Sequence, residues 1–377
     1  MAAYLDNSAT TCVCRAAADK AYAVMTEVYG NPSSLHSMGF RAEREMEAAR
    51  EAVAKLIGAA PERLIFTSGG TEANNLAILG WAEAHPHGGK HIVTTAVEHS
   101  SVAAACDRLE KQGYRVTRLL PSADGTITAE QIVDACDSDT GLVAVMLVNN
   151  ETGARFPLEA AVAGIRRRSP QAHIHCDAVQ AVGKSPVQAV RWGVDSLTAS
   201  AHKIHGPKGC GALYLRKEAR VLARNVGGKQ EGGLRCGTEA VPLIAAFGAA
   251  AECVPPFAQQ MMWYDTLRQR LVDGLRERSG VVFHTPLGGV PYIIHLSVPG
   301  LRSETMLHFL AQREVYVSSG SACAKGAKSP VLTAMGLPDR EIDSSLRVSL
   351  TYDNTEDDID RFVDALCEAM DSLAGKV

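Results

Sequence analysis

Long apolar runs are what this 377-residue sequence most plainly lacks. Its most apolar stretch, LVAVMLV at 142–148, falls far short of the roughly 20 residues a membrane-spanning helix needs. The opening MAAYLDNSATT has no basic segment and reaches Asp6 before any apolar run, unlike a secretory signal. Excess basic charge is missing too: 38 Lys and Arg stand against 42 Asp and Glu, a net charge of −4. Non-specific binding to nucleic acid or an anionic membrane needs a broad basic footprint, so neither partner is expected. The ten cysteines show no small-scaffold rhythm. Only Cys12 and Cys14 lie close together, on a spacing wrong for a zinc knuckle. This usage predicts a reducing, cytoplasmic setting, mostly buried or idle thiols and no metal site. No internal repeat, heptad array or low-complexity segment is present, and no Gly-x-Gly-x-x-Gly dinucleotide fingerprint follows a strand.

What is present is an ordinary globular composition, 46% hydrophobic and 21% charged. At roughly 100–200 residues per domain the length suggests two or three domains. Helical periods cover 15–28, 36–58, 71–84, 100–112, 129–136 and 157–169. Between them stand short strand-like runs at 64–67, 91–95, 114–120, 142–148, 173–176, 195–200 and 211–215. Alternation of this kind predicts an α/β fold with a mostly parallel sheet covered on both faces. Ligands in such sheets sit at the carboxyl ends of the strands. After the break VPPF at 254–257 the pattern changes to a helix reaching about 278, strands near 281–284, 292–298 and 346–350, and helices near 303–312 and 356–374. That mixture predicts a smaller α+β domain.

Three strand ends carry candidate chemistry. In LIFTSGGTEANNLAIL at 64–79 a strand gives way to two glycines and a helix opening on Thr71 and Glu72. Free N–H groups and the positive helix end make a phosphate cradle there, although an ordinary capped turn has the same composition. Asp177 follows the strand in IHCDAVQ at 174–180 and can point into the crevice or merely cap a helix. In TASAHKIHGPKGCGALYL at 198–215, Lys203 stands between His202 and His205 among small and apolar residues. Such a lysine suits covalent carbonyl chemistry, whereas a solvated loop amine is the plainer reading and the one taken for Lys208. His99, after another strand, can lie over a flat ring or cap a helix. Together, a phosphate cradle, a strand-end carboxylate and an amine after the next strand match what pyridoxal 5′-phosphate requires.

The motifs then resemble, in order along nearly the whole chain, those of the cysteine desulfurases of the NifS/IscS type, within the class V aminotransferase-like pyridoxal-phosphate enzymes. They are YLDNSATT at 4–11, YGNPSSLHSMG at 29–39, FTSGGTEANNLAI at 66–78, VEHSSV at 97–102 and VNNETG at 148–153. HCDAVQAVGK at 175–184, SAHKIHGPKG at 200–209, LRCGTEAVP at 234–242, SSGSAC at 318–323 and LRVSL at 346–350 complete the series. The resemblance implies a fold-type-I transferase: a large domain at 14–255 around a seven-stranded sheet, and a small domain formed by 1–13 and 256–377. It implies that Lys203 carries the cofactor and moves protons, Asp177 pairs with the pyridinium nitrogen, Gln180 bonds the phenolic oxygen and His99 stacks on the ring. Gly70, Thr71, Ser200 and His202 would bind the phosphate, with Thr238 reaching it from the second subunit of a homodimer. Asn150 and Arg347 would hold the substrate carboxylate, and Asn31 belongs to an active-site loop motif.

The same resemblance makes Cys323 the nucleophile that takes sulfur from L-cysteine, leaving L-alanine and a persulfide for an acceptor protein such as an iron–sulfur scaffold or a tRNA-thiolation enzyme. Small neighbours surround it, and Lys325 and Lys328 are placed to favour the thiolate. The other nine cysteines read as structural. Three positions depart from the family pattern: Lys229 in GGKQEGG at 227–233, Cys236 beside Thr238, and a shorter segment AKGAKSP after Cys323. The competing readings are a selenocysteine lyase or aminotransferase on the same scaffold, a non-catalytic scaffold, and an ATPase. The last would use Lys184 and Ser185 in the Walker-like AVQAVGKS at 178–185, where Pro186 follows directly and the loop is apolar.

Overall fold

The structure is a computed structural model that describes residues 2–319 and 328–373. In chain order its first strands are β1 Ala3–Tyr4, β2 Leu64–Thr67, β3 His91–Thr95, β4 Arg115–Leu119, β5 Thr140–Met146 and β6 His173–Asp177. They are followed by β7 Ser196–Ser200, β8 Gly211–Leu215, β9 Val282–Phe283, β10 Ile293–Ser297, β11 Val315–Tyr316 and β12 Ser345–Ser349. Seven of them form one sheet in the order β2-β8-β7-β6-β5-β3-β4. β4, β3, β5, β6 and β7 run parallel, while β8 runs against both its neighbours. β5 and β6 are buried along their whole length, which is why β5 reads as near-continuous apolar text rather than alternation. One apolar core, including Leu76, Ile78, Val102 and Leu109, lies under the helices Gly70–Ala84 and Ser100–Glu110. A larger one, including Val143, Ile174, Leu197 and Phe247, covers the other face and continues into the C-terminal elements.

Sheet register assembles the crevice. Asp177 ends β6 opposite Met146 of β5 and Thr198 of β7. β7 then turns back through residues 201–210 into β8, pairing Ser200 with Gly211. Lys203 rides in that connection, in the short turn Ala201–Lys203. Gly211 must be glycine for a steric reason: a Cβ there would stand 2.7 Å from the backbone of Gly69. That close approach seats the glycine turn after β2 against the start of β8.

The chain's first residues belong with its last. β1 pairs parallel with β11, Asp6 bridges to Ser349, and β12-β10-β9 form an antiparallel sheet. Helix Glu356–Leu373 buries Ile359, Phe362, Ala365, Leu366 and Ala369, a helical stripe that the sequence shows plainly. Helix Val241–Glu252 is the longest of four described helices not expected from the sequence, the others being the short Ala189–Trp192, Pro330–Ala334 and Asp339–Ile342. Its text, VPLIAAFGAAAE, is apolar all round, so it has no polar face to reveal its period. Among the described residues no single helix is long and apolar enough to cross a membrane. The nine described cysteines are all free thiols, and four of them, Cys106, Cys136, Cys176 and Cys210, are buried.

Candidate active site

Lys203, Asp177, Gln180, Ser200, His202 and Gly70 converge where β6, β7 and the glycine turn end. The Lys203 Nζ donates to the carbonyls of Ser8 and Ala9 at 2.5 and 2.7 Å, so the N-terminal segment lies directly over the amine. Gln180 Nε2 donates to the same Ser8 carbonyl at 2.9 Å. Asp177 is buried; its Oδ2 accepts from Asn74 Nδ2 at 2.8 Å and its Oδ1 from the Val179 N–H at 3.0 Å. His202 Nδ1 lies 3.2 Å from Thr10 Oγ1. Burial, reinforced by the positive charge of Lys203, pushes its imidazole down to about 4, so the ring is neutral at physiological pH.

These residues fit a phosphorylated pyridine aldehyde. The helix Gly70–Ala84 starts after Gly69 with no side chain capping it, which leaves donors and the positive helix end for an anion. A Cβ on Gly70 would lie 3.9 Å from that of Ser200, so the turn and the hydroxyl share one corner. Ser200 Oγ, Thr198 Oγ1 and Gln180 Oε1 are buried with no hydrogen-bond partner. Such buried atoms are open to an ordered water or to a bound group. Thr71 is exposed in the helix's first turn, next to Glu72, which accepts from the Ser68 N–H at 2.6 Å and from Arg235 at 3.1 Å. That ion pair ties the segment leading to Thr238 onto the glycine turn. Thr238 itself is exposed.

Arg347 is buried beside this cluster on β12, but it is already engaged. Its Nη2 donates to Asp6 Oδ1 at 2.7 Å and its Nη1 to the Asn150 carbonyl at 2.9 Å, leaving Nε without a partner. A substrate carboxylate would therefore meet a guanidinium that Asp6 shares, a feature the sequence reading did not foresee. The Asn150 contact is through its backbone rather than its amide. Asn31 is exposed, and its Oδ1 accepts from the Ser33 N–H at 2.9 Å. His99 occupies the N-cap of helix Ser100–Glu110, so the capping geometry raised for it is real. Cys323 and Lys325 lie outside the described residues. Lys328 is described, and its ammonium pairs with Asp339 at 2.6 Å, so its charge is committed elsewhere.

The Walker-like reading fails on this geometry. Lys184 is buried with its ammonium 5.5 Å from the centre of the Tyr292 ring, and Ser185 Oγ lies 3.1 Å from the Tyr292 hydroxyl. Both side chains are turned into the buried contact with Tyr292.

Glu98 was missed by sequence reasoning. It is buried, accepts from Thr95 Oγ1 at 2.8 Å and the Met146 N–H at 3.0 Å, and has a second oxygen with no partner. Burial pushes its carboxyl up to about 8. The folded protein thus holds a proton that the unfolded chain releases near pH 4.5, and stability falls as pH rises between those values. Glu98→Gln removes this loss. In urea unfolding the variant should lose less stability than wild type between pH 5 and pH 8, by about 2–4 kcal/mol. Equal losses would place the titration elsewhere.

The class-V aminotransferase family profile matches residues 3–362. Cysteine desulfurase 2 of Trichormus variabilis is 41% identical over 377 residues, 98% of this chain and 93% of that one. A solved NifS-like protein superposes with a TM-score of 0.92 at 35% identity, covering 98% of this chain and all of its own. A structure of SspA in complex with cysteine gives 0.81 at 32% identity, covering 92% of this chain and 98% of that one. With the profile spanning nearly the full length and the strand-end cluster in place, the chain belongs to the class-V aminotransferase family, on the branch of the NifS/IscS-type cysteine desulfurases.

Proposed function

We propose that this protein is a pyridoxal-phosphate-dependent cysteine desulfurase, which converts L-cysteine to L-alanine and passes the sulfur on as a persulfide. The observation that carries the reading is the buried cluster of Lys203, Asp177, Gln180 and Ser200 beneath the N-terminal segment, with Arg347 beside it. Ser200, His202, Thr71 and the N–H groups at Gly70 would hold the phosphate, Asp177 the ring nitrogen and Gln180 the phenolic oxygen, with His99 over the ring. Once bound there, the cofactor supplies an electron sink for bond breaking at the substrate. Lys203 moves protons at the substrate carbon atoms. Arg347 orients the carboxylate, with Nε as its unpaired donor, and Asn150 and Asn31 complete the substrate side. The Cys323 thiolate attacks the substrate sulfur. An S–S bond forms as the C–S bond breaks, and the electron pair stays with carbon, which takes a proton on the way to alanine.

The division into a large domain at 14–255 and a small one from 1–13 with 256–377 agrees with the pairing of β1 with β11 and of Asp6 with Ser349. A homodimer is part of this reading. Tyr22, Met25, Tyr29, Leu35 and Phe40 are exposed along one stretch of chain and suit burial by a second copy, which would bring Thr238 to the phosphate. A cytoplasmic location accords with the free thiols. The acceptor would be another protein, of the iron–sulfur scaffold or tRNA-thiolation kind. The test is direct: purified protein with L-cysteine and a reductant should release alanine and sulfide in equal amounts. Production of a keto acid, or turnover of selenocysteine alone, would instead assign it to the rival chemistries.

A further inference from the structure

An unbroken set of short hydrogen bonds runs through the buried residues behind Asp177. Asn74 Nδ2 lies 2.8 Å from Asp177 Oδ2 and 2.8 Å from Ser101 Oγ, while Asn74 Oδ1 faces His175 Nε2 at 2.9 Å. His175 Nδ1 meets Ser196 Oγ at 2.8 Å, and His173 Nε2 meets the same hydroxyl at 2.7 Å. At the other end Ser101 Oγ is 2.8 Å from His99 Nδ1, which also accepts from the Ser101 backbone N–H at 3.2 Å.

The carboxylate fixes every proton in this set. Flipping the Asn74 amide would put its oxygen against Asp177 Oδ2, so Nδ2 must face the carboxylate and Oδ1 must accept. His175 therefore carries its proton on Nε2. Burial pushes His175 and His173 each down to about 3, so both rings are neutral. The Nδ1 of His175 must then accept from the Ser196 hydroxyl, which in turn accepts from His173. In the other direction Ser101 Oγ accepts from Asn74 and donates to His99. A ring nitrogen that receives both an O–H and a backbone N–H has no room for its own proton.

We propose that Asn74, braced by His175, is a positioning residue that holds the Asp177 carboxylate in place and, through Ser101, confines the His99 ring proton to Nε2. Its functional consequence rests on the desulfurase reading: His99 enters the reaction as an Nε2–H donor, not as a base at that nitrogen. The chain itself does not depend on that reading.

Histidine-15N-labelled protein free of cofactor separates the two. Long-range 1H–15N spectra should show a proton on Nε2 and a bare Nδ1 for both His99 and His175, with His99→Gln identifying the former. Asn74→Leu frees the Ser101 hydroxyl to rotate, so it should turn the His99 signal into a mixture of tautomers and lower kcat for sulfide release by roughly 10- to 100-fold, the usual scale for orienting partners. His175→Phe leaves Asp177 to fix the amide, so the His99 tautomer should persist in it. Ser101→Ala breaks only the last link and should give the same mixture as Asn74→Leu, even if that variant fails to fold. A His99 proton on Nδ1 in the wild type, or a His99 signal unchanged by Ser101→Ala, would overturn the proposal. The stated tautomers in a protein that releases no sulfide would support the chain and count against the desulfurase reading.

Discussion

Lys203→Ala should yield a protein that folds, binds pyridoxal phosphate weakly without a covalent link, and turns over L-cysteine at least about a thousandfold more slowly. The size follows from two jobs lost together. In the proposed reading the amine both bonds the aldehyde and carries the proton at the substrate carbon. Folding should survive because the amine's hydrogen bonds to the Ser8 and Ala9 carbonyls lie at the edge of the crevice. The wild type with cofactor should absorb in the visible, and borohydride reduction followed by peptide mapping should fix the label on residue 203. The variant should show neither covalent label nor the wild-type band. A label on Lys184 instead would show that the buried amine under Tyr292, and not Lys203, is the reacting one.

How far the site could be read beforehand depends on whether a residue's role is local. Lys203, Ser200 and Asp177 were legible because a strand end is a local event: a β-run stops, and the next side chains fall in the crevice. The glycine turn was legible for the same reason. Asn74 was not, because within TEANNLAIL it reads as one more polar residue on a helix, and only packing of that helix over β6 turns it inward. His175 did carry a signal. In HIHCD the residues 173, 175 and 177 alternate onto one face of β6, so a histidine two places before the crevice carboxylate was already aligned with it. Asp6 and Glu98 depended on contacts across long stretches of chain, Asp6 with Arg347 and Glu98 with the Met146 N–H, which no spacing rule reaches. The strands matched closely because buried parallel strands are bounded by turns. Helix Val241–Glu252 was lost because a helix with no wet side has no periodic contrast.

Cys323→Ala tests the step that separates this enzyme from others on its scaffold. The cofactor band should remain and L-cysteine should still perturb it, since none of the cofactor-holding residues is touched. Sulfide release should fall by roughly 10³-fold or more, the order seen when a covalent nucleophile is deleted. The described flanks give the physical reason to expect a nucleophile here. Ser318 exchanges backbone hydrogen bonds with Arg347, at 2.7 and 3.2 Å, five residues before Cys323. Six residues after it, Ser329 Oγ donates to Glu151 Oε2 at 2.5 Å, next to the Asn150 whose carbonyl meets Arg347. One end of the segment is thus fastened to Arg347, and the other to the neighbour of Asn150, the two residues proposed to grip the substrate carboxylate. Burial pushes Glu151 up to about 7, despite the opposing influence of Ser329 and Arg347. Because Lys328 is paired with Asp339, the charge expected to favour the thiolate falls to Lys325. A Lys325→Gln variant should therefore shift the alkaline rise of sulfide release to higher pH, while Lys328→Gln should leave it where it is. Undiminished sulfide release from Cys323→Ala would remove the nucleophile and, with it, the distinction from a selenocysteine lyase.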